Sequence, residues 1–473
     1  MKIDISYRRI LALTGPVVIT QMTHTAMGVI DTMMVGRLGV VALAGVGLGA
    51  IIAWWCLSFF VGLLQGVNTF VAQFFGAGRR DRVGVSFWQG LYVAVAAGVA
   101  LLALSPLSAW VFSLTQASPE TQAIATDYTE VRMAAAIGLM IFLVAENYYR
   151  GLGRTEIPMR AGLVQLVLNC GLNYLFIFGA YGFPELGPAG AAVGTVIAQF
   201  VVAMGLLAGV LLTSMGRNYG ASRPRPFESA LMGKMLRVSV PIGIQVFMEL
   251  GGISVFTALI ARLGDSQMAA TNAVIHAWSL SYMLAVALAA GSTTLVGQCL
   301  GAKQLQDARR VVGRVLRLGY LGMAAMAVLY VGFPDRLMGL FVREAELGEV
   351  LPYARPLFLI AVVCLVFDLQ FNVLSGALRG AGDTAYTMWV NIGVVWGVFV
   401  PLLFVATRSW GLIGAWSCFI VHVMLMAGLL ALRVRGRVWI ERGAALLEAE
   451  RSGSSGEADS PPQIEDLRSS PVV

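Results

Sequence analysis

Apolar runs of about twenty residues follow one another along this chain, with polar residues gathered in the short segments between them. Each run is long enough to cross roughly 30 Å of hydrocarbon at 1.5 Å per helical residue. With Gly, Pro and charge clusters as punctuation, the pattern predicts twelve helical spans, at 11–36, 45–75, 85–114, 123–149, 158–179, 188–215, 236–262, 271–300, 313–333, 349–378, 385–406 and 411–433. The longest internal connection, 216–235, is basic, polar and proline-containing and falls after six spans. It reads as a cytoplasmic linker between an N-terminal six-helix lobe, 1–215, and a C-terminal six-helix lobe, 236–435. From 436 onward the chain turns polar and ends SGSSGEADSPPQIEDLRSSPVV. That segment has too few apolar residues to fold alone, so 436–473 is expected to be a disordered cytoplasmic tail.

The spans repeat. The stretch GPVVITQMTHTAMGVIDTMMVGRLG, from Gly15 to Gly39, returns as VPIGIQVFMELGGISVFTALIARLG, from Val240 to Gly264. Pro16 is matched by Pro241, Arg37 by Arg262 and Gly39 by Gly264, each 225 positions on (241 − 16). Gln73, Gly76 and Ala77 recur as Gln298, Gly301 and Ala302, and Arg150, Gly151 and Gly153 as Arg379, Gly380 and Gly382. An even number of spans per half makes this a parallel repeat, related by an axis along the membrane normal. The expected fold is an all-α polytopic membrane protein with twelve transmembrane helices in two pseudo-symmetric lobes. Pro16 and Pro241 stand at matching places and each removes a helical hydrogen bond, so both are hinge candidates.

Composition agrees with the pattern. Of 473 residues 58% are hydrophobic and 12% charged, with a mean hydropathy of +0.77, which excludes a water-soluble domain. The formal charge of +7 would suit nucleic acid, but the cations lie in short clusters between spans, so no nucleic-acid partner is expected. By count about 26 of the 33 Lys and Arg fall on the side of the N-terminus, and the positive-inside rule then puts both termini in the cytoplasm. The chain is expected to be multi-pass in the cytoplasmic (inner) membrane, its partner the lipid bilayer, and to work as a monomer. Met1 to Arg9 runs directly into the first span, so no cleavable signal peptide is expected. The five cysteines sit inside apolar runs without pairing or ligand spacing, which predicts neither disulfides nor structural zinc.

Three carboxylates fall well inside spans: Asp31, Glu249 and Asp368. Each costs on the order of 2.5–3.5 kcal/mol to insert, an expense that makes an intramembrane acid a functional-site candidate. Interhelical glue is the plainer reading, yet Asn, Gln, Ser and Thr supply glue at lower cost. Amides stand at helical spacing beside the acids. Gln245 precedes Glu249 by four, Asn372 follows Asp368 by four, and Gln165, Asn169 and Asn173 form an i, i+4, i+8 stripe on the fifth span. That stripe suits structural hydrogen bonding and ion ligation equally. Oxygen-rich clusters of this kind fit a small hard cation such as Na⁺. Glu146 and Arg150, four apart, are expected to pair, Arg132 and Arg355 to snorkel, and His24, His276 and His422 to be packing residues. The string GVGLGA at Gly45 to Ala50 lacks the strand and acid of a dinucleotide site and reads as close helix packing. No HExxH or GxSxG motif is present, and neither an enzyme nor a bound cofactor or metal cofactor is expected.

These residues resemble the multidrug and toxic compound extrusion (MATE) family. The likeness lies in the PVVITQ start and VIDTMMVGRLG end of the first helix, the VAQFFGAG and VGQCLGA helix ends, the YYRGLGRT and ALRGAGDT loops, and the LGPAGAAVGT start of the sixth span. It covers about 5 to 435 and is nearest the NorM-like branch. The resemblance implies a cation-binding acid pair in the C-terminal lobe, Glu249 with Asp368, and an N-terminal site at Asp31, Asn169, Asn173 and Thr195. Some relatives carry an acid where this chain has Asn173, so the N-terminal site here has a single carboxylate. The implied activity is antiport: small amphipathic organic cations and drugs leave the cytoplasm in exchange for Na⁺ or H⁺ by alternating access. The alternatives are a flippase for lipid-linked precursors, which would need a mid-span arginine cluster that is not visible, and a dedicated metabolite exporter on the same scaffold.

Overall fold

A backbone in hydrocarbon must satisfy its own polar groups, and a chain without alternating strands can do so only as helices. The computed structural model describes residues 2–339 and 344–452, and no strand forms among the described residues. The N-terminal lobe holds α1 (Tyr7–Gly36), α2 (Val40–Gly76), α3 (Arg80–Leu104), α4 (Pro119–Ala134 with Ala136–Gly151), α5 (Glu156–Phe178) and α6 (Pro188–Leu212). The C-terminal lobe holds α7 (Ser229–Ala261), α8 (Asp265–Gly301), α9 (Leu305–Gly332) and α10 (Glu344–Ala381). Its last two spans share one stretch. The chain runs through Thr384–Val394, a π turn at Val395–Phe399 and Val400–Arg435, and breaks at Gly411, where φ is +57°. We number the part before the break α11 and the part after it α12. Among the described residues twelve spans result, in two six-helix lobes, as the repeat predicts.

Three expectations need correction. The third span stops at Leu104 instead of reaching 114, because Pro106 cannot continue the ladder, and a separate short helix, Leu107–Ser113, follows. Helix α7 begins at Ser229, inside the expected linker, so the non-helical connection shrinks to its Gly- and Pro-bearing part. The expected disordered tail is helical over α13 (Val438–Ser452), while 453–473 lie outside the described residues. Low overall hydropathy misled there. Trp439 and Ile440 are fully buried, and Arg442 reaches the buried Asp383 at 2.7 Å, alongside Arg433 at 2.8 Å. A short segment needs few apolar residues when a preformed surface and a buried acid receive it.

The lobes meet mainly through α1 and α2 on one side and α7 and α8 on the other. At the end carrying the termini the meeting is symmetric. Thr69 Oγ1 and Gln73 Nε2 on α2 donate to the carbonyls of Arg379 and Gly380, each at 2.9 Å. Thr294 Oγ1 and Gln298 Nε2 on α8 donate to the carbonyls of Arg150 and Gly151, at 3.2 and 2.9 Å. The repeated glycines let the backbones approach. A Cβ on Gly76 would stand 2.0 Å from the Gln298 carbonyl oxygen, and one on Gly301 2.0 Å from that of Gln73. Neither oxygen can retreat, being part of a helix, so Gly76→Ala and Gly301→Ala should each cost about 1–3 kcal/mol. Gly47 meets nothing within 4 Å, and Gly47→Ala should leave stability unchanged or raise it slightly. Thermal unfolding of the three variants in detergent checks the contrast.

Both prolines lie inside unbroken helices. Pro16 leaves the Ala12 carbonyl without its helical donor, and the Thr155 hydroxyl donates to it at 3.4 Å. Thr384, the repeat mate of Thr155, donates at 2.7 Å to the carbonyl of Val238, the neighbour of the Arg237 carbonyl that Pro241 frees. In both lobes the start of the fifth helix thus bonds to the first helix in the turn before its proline, and in the N-terminal lobe it takes the freed carbonyl itself.

Candidate functional site

In the N-terminal lobe the amide stripe of α5 faces α1 and α6, and all three of its members, Gln165, Asn169 and Asn173, are buried. Small residues on α6 make this possible: a Cβ on Gly194 would fall 2.2 Å from Asn173 Oδ1, and one on Gly190 2.4 Å from the Phe176 carbonyl. With the helices this close, Asn173 Nδ2 donates to Asp31 Oδ1, Thr195 Oγ1 lies 3.3 Å from Asp31 Oδ2, and Asn169 Nδ2 donates to Thr195 Oγ1 at 3.0 Å. The four residues named for this lobe therefore form one cluster.

Its hydrogen-bond balance is uneven. Thr195 has one hydroxyl proton, and the Ala191 carbonyl, at 2.8 Å, competes for it. The bond from Asn173 Nδ2 is the one that no other acceptor contests. Gln165 Oε1, Asn169 Oδ1 and Asn173 Oδ1 are buried oxygens without a protein donor. A carboxylate in one cluster with amide oxygens that lack a donor can accept a proton or a hard cation.

The C-terminal lobe builds a second cluster from different helices. Asp368 on α10 is 6% exposed. Its Oδ1 accepts from Asn372 Nδ2 at 3.1 Å, while its Oδ2 has no protein partner. Glu249 on α7 lies within electrostatic reach of Asp368, and both act on the Tyr282 phenol of α8. Arg379, three turns beyond Asp368 on α10, acts on Glu249. Gln245, one turn before Glu249, is fully buried with neither amide atom bonded. Glu249 and Asp368 thus lie within each other's electrostatic reach, and Tyr282 and Arg379, which sequence reasoning did not single out as site residues, lie within reach of Glu249. Tyr282 carries no signal in its own segment. Arg379 was visible only as a repeat mark.

The two clusters are not repeat mates. The position 225 after Asp31 is Phe256, and 224 after Thr195 is Phe419. These two rings pack at 5.7 Å among Phe399 and Trp416. Where the N-terminal lobe keeps its acid, the C-terminal lobe has an aromatic core. Conversely, the residue 225 before Glu249 is His24. Between the clusters, Trp55 packs on Phe247 across the lobes at 4.3 Å, and Thr25 meets the Met283 sulfur at 3.9 Å. Elsewhere Glu146 and Arg150 pair at 2.6 Å, as expected. Gly45 and Gly49 of the GVGLGA string press against the first half of α4, with a Cβ on either falling within 3 Å of it.

Comparison with known proteins bears on what such a pair of sites belongs to. The MatE family profile matches residues 16–175 and 241–405, one segment in each lobe. The chain is 33% identical over 425 residues to the "Probable multidrug resistance protein NorM" of Pseudomonas aeruginosa, covering 87% of this chain and 86% of that one. The solved structure of the eukaryotic MATE transporter AtDTX14 superposes with a TM-score of 0.82 at 19% identity, over 93% of this chain and 98% of that one. An outward-facing conformation of a multidrug resistance MATE family transporter of the MOP superfamily gives 0.82 at 20% identity, over 93% and 96%. At these identities the two structures speak for the fold alone. Because the family match falls on both halves, and the relationship to the NorM relative runs nearly end to end, the chain belongs to the MatE family of multidrug and toxic compound extrusion transporters.

Proposed function

We propose that this transporter is a cation-coupled antiporter that exports amphipathic organic cations across the cytoplasmic membrane, with Na⁺ or H⁺ as the returning ion. The observation that carries the reading is the unpartnered oxygen at each cluster: Asp368 Oδ2 is buried without a donor, and Asn169 and Asn173, bonded in the Asp31 cluster, each keep an amide oxygen without one. Competition supplies the mechanism. A proton, a Na⁺ or a drug cation can each neutralise such an acid, and occupancy by one disfavours the others. Asp31 with Asn169, Asn173 and Thr195 forms one station, and Glu249 with Asp368 the other. The lobes rock about the seam between them, with Pro16 and Pro241 as the points of bending. The basic terminal face is assigned to the cytoplasm, and the seam closed there corresponds to a state that admits ions from outside.

Energetics limit the exchange. A hundredfold drug gradient costs about 2.7 kcal/mol, and one cation in for one monovalent cation out gains nothing from a membrane potential worth about 2.3 kcal/mol per charge per 100 mV. The ion's own concentration gradient, or a second ion, must drive export. Loose specificity follows from an apolar surround of Met, Phe and Trp with few fixed donors, since rejecting a wrong substrate requires buried polar groups that it leaves unpaired.

The test is efflux from proteoliposomes with Na⁺ and pH gradients imposed separately. A lipophilic dye should be exported under one of the two gradients, and a quaternary ammonium compound should compete with it. Efflux that needs neither gradient overturns the coupling. Export of one compound class, with other organic cations ignored, overturns the substrate class in favour of a dedicated metabolite exporter.

A further inference from the structure

The two arginines of the repeat, Arg150 and Arg379, sit at the same seam but balance their charges differently. Their backbones are held alike, by Thr294 with Gln298 and by Thr69 with Gln73. Arg150 finds its counter-charge on its own helix, at Glu146 one turn before. The residue one turn before Arg379, and 229 positions after Glu146 (379 − 150), is Ser375, which offers no charge. Arg379 instead donates across the lobes from Nη1 to Gln65 Oε1 at 2.9 Å, and the acid whose field acts on it is Glu249. The repeat mate of Gln65 is Ala290, so the contact exists on one side only. Gln65, Thr69 and Gln73 stand at i, i+4 and i+8, one stripe of α2 devoted to 379–380. Arg379 is therefore bonded at the seam while lying in the field of Glu249, one of the two acids.

We propose that Arg379 is the positioning residue that couples cation occupancy of Glu249 and Asp368 to closure of the interlobe seam. The inference rests on the reading of those two acids as a cation site. With the acids charged, the guanidinium is held between Glu249 and Gln65, and the seam is closed. A cation arriving from outside neutralises the acids and leaves a sequestered arginine without a counter-charge, which is strongly unfavourable. The side chain then moves toward the cytoplasmic water, breaking the Gln65 bond and drawing the 379–380 carbonyls away from Thr69 and Gln73. The site opens on the side where an inward-driven ion must leave.

The test uses the full-length protein in nanodiscs, with spin labels on the exposed positions Arg80 and Gln306, which flank the seam from the two lobes. The native cysteines are replaced in this background. In the unsubstituted protein, exchanging K⁺ for Na⁺, or lowering the pH without Na⁺, should shift the distance distribution toward the open seam. Glu249→Gln should open the seam without any cation, raising the open-to-closed ratio by about tenfold or more, the scale of one charged hydrogen bond. Adding Arg379→Gln to Glu249→Gln should close it again, a reversal that a merely structural arginine does not give. Arg379→Lys alone should keep a weakened cation response. The coupling role is overturned if Glu249→Gln leaves the seam closed, or if the double variant stays as open as the single one. A protein whose seam ignores both Na⁺ and acid, while the variants behave as stated, instead overturns the cation-site reading.

Discussion

Glu249→Gln and Asp368→Asn, each made alone, are expected to lower gradient-driven drug efflux at least a hundredfold while the protein still folds and reaches the membrane. The size follows from what is lost. Removing one member of a buried charge contact costs roughly 3–5 kcal/mol, which is two to three orders of magnitude in occupancy. The fold should survive because an amide has nearly the shape of the acid. Asn372 Nδ2 can go on donating to the retained oxygen of residue 368, and Asp368 Oδ2 has no protein partner to lose. Efflux from proteoliposomes under a Na⁺ or pH gradient, together with the unfolding temperature of each variant, separates the two effects. Wild-type transport from both variants would end the assignment of this pair. Loss of transport with a collapsed unfolding temperature would instead mark the acids as structural.

Asp31→Asn should be equally inactive, and here the geometry makes the experiment unusually clean. Asn173 Nδ2 now donates to Asp31, and Asn173 Oδ1 is a buried acceptor without a donor. If the Asn173 amide turns over, the new amide at position 31 donates to that oxygen, so one hydrogen bond is exchanged for another and stability should move by about 1 kcal/mol or less. What disappears is the charge. Asp31→Glu keeps the charge but sets it one methylene farther from Asn173 and Thr195, and partial transport is the expected result. Drug export by Asp31→Asn at the wild-type rate across the working pH range would show that Asp31 is a hydrogen-bond acceptor only, and would leave coupling to Glu249 and Asp368. The two predictions together ask whether one station suffices or both are needed.

The acids were legible because lipid makes them conspicuous. A carboxylate in a run such as MGVIDTMMVG has no cheap reason to be there, and that argument needs no neighbours. Helical spacing made the Asn169–Asn173 stripe legible as a face, and only the family resemblance made it a site, since spacing says which side chains share a surface and nothing about what lies opposite. The opposite helix came from the close approach that Gly190 and Gly194 allow. The tail was misread for a related reason. Its polar composition describes how it would behave alone, whereas Asp383 and the ends of α8 and α10 give Trp439, Ile440 and Arg442 somewhere to go.

By itself the sequence determined the solvent, the element and the symmetry. Runs of apolar residues choose lipid, lipid forces helix, and a 225-residue echo implies two lobes about one axis. Those properties depend on residues taken one at a time or at fixed spacing along the chain. Which repeat mates kept their chemistry was decided only in three dimensions. The chain has an acid at 31 and a phenylalanine at 256, a histidine at 24 and a glutamate at 249, and an arginine at both 150 and 379. Only the packed helices show that one arginine pairs with Glu146 on its own helix while the other donates to Gln65 of the opposite lobe. A charge is defined by what surrounds it, and those surroundings are assembled from helices hundreds of residues apart.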